Sequence, residues 1–336
     1  MTKLAIVILN WNGQRFLEQF LPALIRHTPD FAEVIIADNA SSDLSLAFLK
    51  EHYPQLRVIR NNENEGFSKG YNQALAQVDA EYYCLLNSDI EVTENWVEPV
   101  IKLMDTDQTI AAVQPKLLSY NEKNKFEYAG AAGGFIDFLG YPFCRGRLFE
   151  FLEEDKGQYN NTMEVFWATG AALFVRSKLY HQLGGLDEDF FAHMEEIDFC
   201  WRLMNHGYKI IVHPAATVYH VGGGTLPKNN ALKTYLNFRN NLFLLLKNLP
   251  ENKLFSVFFA RFILDQLAAL SFLAKGNIKD YFAVWKAQCH FLKSYKKMKA
   301  KRDVISKYAY NKMFPYSSVW ARYFKFKKGF DGKIYI

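Results

Sequence analysis

Three times in its N-terminal part this chain repeats one unit, an apolar run, a polar turn and a helical pattern, and a fourth apolar run follows. Residues 4–9 form a fully apolar strand that ends in Asn10-Trp11-Asn12-Gly13, ahead of a helix over 14–27 interrupted by Pro22. Residues 33–37 run into Asp38-Asn39-Ala40-Ser41-Ser42-Asp43, and a helix over 44–52 follows. A third strand over 56–60 leads through the turn 61–65 to a helix over 66–77, with Phe67, Tyr71, Ala74 and Leu75 on one face. The fourth run, 82–86, stops abruptly at Asn87-Ser88-Asp89. Strands and helices alternating at this spacing predict an α/β domain with a mostly parallel sheet, right-handed crossovers and flanking helices.

In an open parallel sheet, ligands bind just outside the carboxyl ends of the strands. Three of these ends carry ligand-holding side chains: Asn10 and Asn12, Asp38 and Asn39, and Asn87 and Asp89. One such end is ordinarily a turn cap, whereas three in one half of a domain predict a cleft of nucleotide size. The first turn lacks G-x-G-x-x-G, and no G-x-x-x-x-G-K-[ST] loop occurs, so the usual dinucleotide and P-loop cradles are excluded. A nucleotide whose diphosphate is neutralised by a metal on Asp89 remains, since a divalent cation accepts one or two carboxylates plus phosphate oxygens.

Further along, a helix over 96–104 and a strand over 110–114 are expected. Residues 119–162 have weak periodicity and read as a surface loop, with acceptor or lid contacts as the alternative. Around Trp167 and Gly170, small residues beside a strand allow something to approach the backbone closely. In the acidic stretch after Asp187, Ile197, Cys200, Trp201 and Met204 recur at helical spacing and should face the core. Glu195, Asp198 and Arg202 then lie on another side, where Asp198 and Arg202 form an i,i+4 pair. Glu196 borders the apolar face with no cation at i+3 or i+4, which fits a partly desolvated general base as well as a capping or solvated residue. A strand over 208–212 precedes His220, whose following Gly222-Gly223-Gly224 permit unusual dihedrals around the ring.

Charge divides the chain. Residues 242–336 carry 19 Lys and Arg against 5 Asp and Glu, while the rest carries 21 against 30. Residues 254–274 have about the length of a membrane span, but Arg261, Asp265 and Gln266 interrupt it, so a spanning helix is not expected. Phe255, Phe258, Phe259, Phe262, Ile263 and Leu267 instead predict a broad apolar face, for which packing against the main domain is the default and membrane binding the alternative. Lys293, Lys296, Lys297, Lys299, Lys301 and Arg302, with the mixed basic and aromatic segment from Trp320 to Lys328, suit an anionic membrane surface. The same charge would attract nucleic acid. The four cysteines lie far apart without C-x-x-C pairing, and the N-terminus has no signal-like apolar region; both fit a reducing, cytoplasmic setting.

Together, Val7-Ile8-Leu9-Asn10-Trp11-Asn12-Gly13, Ile36-Ala37-Asp38-Asn39-Ala40-Ser41-Ser42-Asp43, Asn64-Glu65-Gly66-Phe67, Leu86-Asn87-Ser88-Asp89, Met194-Glu195-Glu196-Ile197-Asp198 and His220-Val221-Gly222-Gly223 resemble glycosyltransferase family 2, the inverting GT-A enzymes, and their bacterial rhamnosyltransferase-like branch. The resemblance covers residues 4–241. It implies a GT-A fold, a nucleotide-diphosphate sugar donor and a saccharide acceptor, lipid-linked in many relatives. It tips the basic region, 242–336, toward peripheral association with the inner face of the cell membrane, with no nucleic-acid partner. Within 1–241 it implies a donor-binding half, 1–118, and an acceptor and catalytic half, 119–241. The donor contacts it implies are Asn10, Asn12, Asp38, Asn39, Asn64, Gly66, Asn87, Ser88 and Asp89, with Asp38 on the base. Asp89 and His220 would hold Mg²⁺ or Mn²⁺, Glu196 would be the catalytic base, and Trp167, Gly170 and Glu195 would lie on the acceptor side. Asn87 departs from the family by replacing the first Asp of its DXD motif, and Glu196 stands where many members have Asp. A sugar-phosphate nucleotidyltransferase and a non-catalytic sugar-nucleotide binder or membrane scaffold are the competing readings.

Overall fold

The computed structural model describes residues 2–222, 230–315 and 317. Its first part comprises β1 (Thr2–Asn10), α1 (Gln14–Arg26), β2 (Ala32–Asp38), α2 (Ser45–His52), β3 (Arg57–Arg60), α3 (Gly66–Leu75) and β4 (Ala80–Asn87). β5 (Ile90–Val92), α4 (Glu98–Thr106) and β6 (Ile110–Ser119) follow. A separate antiparallel sheet is formed by β7 (Gly134–Ile136), β8 (Pro142–Cys144), β9 (Arg147–Leu148) and β10 (Phe151–Leu152). Next come β11 (Met163–Val165), β12 (Ala172–Arg176), α5 (Ser177–Gln182), α6 (Glu195–Asn205) and β13 (Lys209–His220). Helices α7 (Ala231–Asn248), α8 (Glu251–Ala274), α9 (Ile278–Ala300) and α10 (Lys307–Asn311) complete the described chain.

β1 pairs in parallel with β2 and β4, and β3 continues the sheet beyond β2. Leu4, Ile6 and Ile8 face one core with Leu17, Leu21 and Leu24 of α1; Ala5 and Val7 face the other with Tyr71, Ala74 and Leu75 of α3. A strand buried on both faces has no polar side to show, which is why these runs lack alternation. Each such Leu or Ile contributes about 1.5–3 kcal/mol of burial. This apolar stripe carries α1 straight through Pro22, where the sequence predicts an interruption. β12 runs antiparallel between β4 and β6, so the second half of the sheet is mixed.

Two predicted segments differ. The strand expected to end at 212 continues to His220, because Pro214, which has no N–H, is accommodated in a bulge: His213 pairs with Pro115 and Thr217 already with Lys116. Residues 119–162 are not a plain surface loop. They contribute Phe126, Ala131, Ala132, Ile136 and Cys144 to the main core, and a Cβ at Gly134 would lie 2.1 Å from the Trp167 ring.

The boundary expected after residue 241 falls inside α7, whose Leu242, Phe243, Leu244, Leu245 and Leu246 are buried in the main core. The C-terminal helices therefore pack as part of the main body. α8 departs from that default: of the six, Phe258 packs against the main core, but Phe255, Phe259, Phe262, Ile263 and Leu267 are exposed, while Arg261 and Asp265 are buried. The reason is a polar socket. Arg261 donates from Nε to Asp265 Oδ1 at 3.3 Å and from Nη1 to Leu139 O at 3.0 Å and to Asn241 Oδ1, with its guanidinium 4.2 Å from the Tyr141 ring centre. The expected basic surface is also partly engaged, since Lys297 and Lys301 pair with Asp189, Lys301 with Asp187, and Lys299 and Arg302 with Glu251. The Trp320–Lys328 segment, and Gly223, Gly224 and Thr225, lie outside the described residues. All four cysteines are free. Arg261→Ala, which strands Asp265 without its cation, should cost about 3–5 kcal/mol in chemical denaturation.

Candidate active site

The parallel register aligns the polar strand ends: Asn10 stands opposite Asp38, and Leu9 opposite Asn87. Asn10 is buried and donates to Asp38 Oδ1 at 3.3 Å and to Ser41 Oγ at 3.1 Å, while its own Oδ1 has no partner. Asp38 is buried as well and accepts Ser41 N–H through Oδ2 at 3.0 Å. Asn12 is exposed at a φ of 50°, and its Oδ1 accepts the N–H groups of Ser42 and Asp43 at 2.7 and 3.2 Å. Asn39 is 2% exposed; its amide joins Asn64 Oδ1, Gly66 O and Asn61 Nδ2 within the protein. Asn39 thus ties the loop after β2 to the loop after β3 and to the start of α3. Asn64 also caps Gly66 N–H at 3.0 Å. Gly66 has a φ of 73°, and a Cβ there would lie 2.5 Å from the Phe191 ring, so two separate constraints require glycine.

Beyond β4, Asn87 and Ser88 are partly exposed and Asp89 is buried. The extension of β13 brings His220 opposite Ile90, with Nε2 3.1 Å from Asp89 Oδ1. On its other side Nδ1 lies 3.2 Å from Glu127 Oε1, out of line for a hydrogen bond. Burial alone would lower the imidazole pKa, but Glu127 and Asp89 outweigh it and raise it to about 10. Burial opposes ionisation of Asp89, and His220 overcomes this to hold its carboxyl below the usual range. Glu127 belongs to no recognisable motif, and the sequence reading missed it. Among the described residues no cluster of three or more His, Cys, Asp or Glu side chains is arranged to hold a metal ion. The Asp89 carboxylate, held ionised, is nevertheless an oxygen donor that a divalent cation accepts in company with phosphate oxygens, whereas His220, held as an imidazolium, offers a nitrogen donor only after giving up its proton.

The second half of the site is the start of α6. Asn87 N–H donates to Ala171 O at 2.9 Å, which fixes the beginning of β12 against the end of β4. A Cβ at the neighbouring Gly170 would lie 3.4 Å or less from the Phe67 ring and 3.7 Å from Glu196 Cβ, so the structure brings Gly170 and Glu196 together beside Asn87. Glu196 is partly exposed, but its Oε2 is enclosed without a hydrogen-bond partner. Burial pushes its carboxyl up to about 7, against bonds from the α6 N-terminal backbone. Glu195 is 4% exposed, and burial followed by the Glu196 charge raises it well above the glutamate range. Trp167 is buried, with its indole N–H donating to Phe135 O at 2.9 Å; it packs the fold and presents little surface to an acceptor. Asp198 is the buried acceptor of Arg202, Lys247 and Asn248 at 2.9, 2.8 and 2.9 Å, more than the helix-surface pair predicted.

The backbone leading to Glu196 is strained: Phe191, His193 and Met194 have φ of 65°, 70° and 73°. Two neighbouring side chains of α7 hold it. Asn240 Nδ2 donates to the carbonyls of Phe190, Ala192 and His193 at 2.9, 2.8 and 2.7 Å, and Arg239 Nη2 adds Asp189 O and Phe190 O at 2.9 and 3.0 Å. Phe191 O, fixed in this way, receives the Phe67 N–H of α3 at 2.7 Å. A cavity of about 380 Å³, lined by Ala231 and 276–280, shares no residue with this site.

A mixed sheet whose polar strand ends meet an acidic helix start has the architecture of the GT-A fold. The family model for glycosyl transferase family 2 matches residues 5–183, and the chain belongs to that family. It is 25% identical to the N-acetylglucosaminyl-diphospho-decaprenol L-rhamnosyltransferase of Mycobacterium tuberculosis over 235 residues, 65% of this chain and 75% of the relative. Among solved structures it resembles GalNAc-T7 with UDP, GalNAc and Mn²⁺ at a TM-score of 0.58 and 16% identity, over 75% of this chain but 49% of that one. It also resembles S. aureus TarS 1–349 in complex with UDP-GlcNAc at 0.57 and 15%, over 89% and 84%. The chain is a glycosyltransferase of glycan or polysaccharide biosynthesis. Asn240→Ala releases the strained turn, and steady-state kinetics should show kcat falling about a hundredfold with the donor KM little changed, because small displacements of a reacting group are that costly.

Proposed function

We propose that this enzyme transfers a sugar with inversion from a nucleoside-diphosphate donor to a hydroxyl of a lipid-linked saccharide, working at a membrane surface. The observation that carries the reading is Glu196, whose enclosed, unpartnered Oε2 sits beside Gly170 next to the strand end at Asn87. In its ionised form Glu196 takes the proton of the acceptor hydroxyl. That oxygen bonds to the anomeric carbon from the face opposite the diphosphate, the bond from carbon to the leaving oxygen breaks, and the nucleoside diphosphate departs with the electron pair. Asp89, the Asn87 side-chain carbonyl and, once it has released its proton, His220 would hold Mn²⁺ or Mg²⁺, which when bound supplies charge stabilisation to the leaving diphosphate. The Mn²⁺ in the GalNAc-T7 structure and the decaprenol-linked substrate in the name of the mycobacterial relative support these two parts of the reading.

Glu196→Gln should lower kcat by about 10²–10⁴-fold while calorimetry finds donor affinity nearly unchanged; wild-type kcat in this variant would overturn the assignment. The pH dependence has a definite sign. A base works only when ionised, so activity should rise through a midpoint at about 7 and be lost below it, and this limb should vanish in the variant. Folding holds the proton more tightly than the unfolded chain does, so Glu196 lowers stability as pH climbs from the ordinary glutamate range through 7. Asp89→Ala should abolish the gain in donor affinity that Mn²⁺ gives the wild type; equal affinity with and without Mn²⁺ in the wild type would remove the metal from the proposal.

A further inference from the structure

We infer that the outward face of α8, with the neighbouring stripe of α9, inserts into the interface of an anionic lipid bilayer and lies in its plane. This deepens the membrane-surface reading above and rests on it. α8 is 24 residues long and apolar enough to cross a membrane, yet only 22% of its most apolar stretch is buried against the protein. The rest faces outward: Phe255 is 86% exposed, Phe259 62% and Leu267 57%, and on α9 Phe282, Trp285 and Leu292 continue the pattern. An apolar surface of this extent on a folded chain marks a place of contact.

Orientation follows from what lies underneath. Arg261 and Asp265 occupy the opposite side of α8 and are bonded to Leu139, Asn241 and Tyr141, so a spanning pose would tear an ion pair out of its socket. Lying flat keeps that socket intact and sinks only the phenylalanine and leucine face to the depth of the headgroup boundary.

Charge selects lipid over a second copy of the chain. Lys275 and Lys279 at the α8–α9 turn, and Lys293 and Lys296 on α9, are exposed and enter no ion pair among the described residues. The acidic residues of the same helices are all engaged, Glu251 by Lys299, Asp265 by Arg261 and Asp280 by Thr234. The border of the apolar face is therefore positive without compensation, which attracts anionic headgroups and repels an identical face.

The test is flotation of the full chain with vesicles of phosphatidylglycerol and phosphatidylcholine, alongside Phe255→Ser/Phe259→Ser/Leu267→Ser and Lys275→Glu/Lys279→Glu. The substituted side chains are exposed, so thermal unfolding and transfer to a water-soluble acceptor should match wild type. The serine variant should bind vesicles at least about tenfold more weakly, a loss that added salt does not reproduce, and the glutamate variant should lose the preference for phosphatidylglycerol. Equal flotation of wild type and serine variant overturns the α8 face and leaves the membrane reading standing. No flotation of the wild type at low salt overturns both. Self-association of the wild type that the serine variant abolishes, without vesicle binding, overturns the inference in favour of a second copy.

Discussion

The constraint on which the rest depends is the two-sided burial of β1. Its Leu4, Ile6 and Ile8 pack under α1 while Ala5 and Val7 pack under α3, so neither face has room for a ligand. Chemistry can then occur only where the strand runs out, and parallel pairing makes its neighbours run out beside it. Asn10 and Asp38 share a level, with Asn87 one residue short of it opposite Leu9, because hydrogen-bond register puts them there, not because each was placed separately. The loops that follow are stiffened by one another: Asn39 bridges to Asn61, Asn64 and Gly66, and Asn12 to Ser42 and Asp43, which leaves Asn87 and Ser88 among the accessible groups.

Glu196 is held by a different logic. α6 begins after three residues with left-handed backbone, a costly arrangement that persists only if its surroundings dictate it. Those surroundings come from α7, and through Lys247, Lys297 and Lys301 from the ion-pair network with Asp187, Asp189 and Asp198. The C-terminal helices thereby act on the position of Glu196 without touching a substrate. A body that carries an acidic helix start and a basic helical segment meets across this contact, and part of the charge asymmetry of the chain is neutralised internally.

How much was legible in the sequence depended on range. The four parallel strands and the residues at their ends were readable because each strand, turn and helix is encoded within a few neighbouring positions. Glu196 was readable as an acid with no cation within a helical turn, and its missing partner is what the structure shows. Glu127 was not, since its only distinction is proximity to His220 in a distant strand. The α8 pattern revealed an apolar face and a polar one but not which turns inward, because that is decided by acceptors on Leu139 and Asn241 that no local pattern contains. Residues 119–162 misled for a similar reason: short strands and close-packed glycines leave little periodicity.

The bulge in β13 has a consequence for how this gene can change. Between His213 and Thr217 the strand takes three residues more than its partner β6, and an odd number reverses which face each later side chain meets. His220 reaches Asp89 because of that reversal. Loss or gain of a single codon here would turn the imidazole to the opposite face and offer its neighbour to Asp89 instead. This stretch of sequence should therefore tolerate substitution far better than it tolerates a change in length.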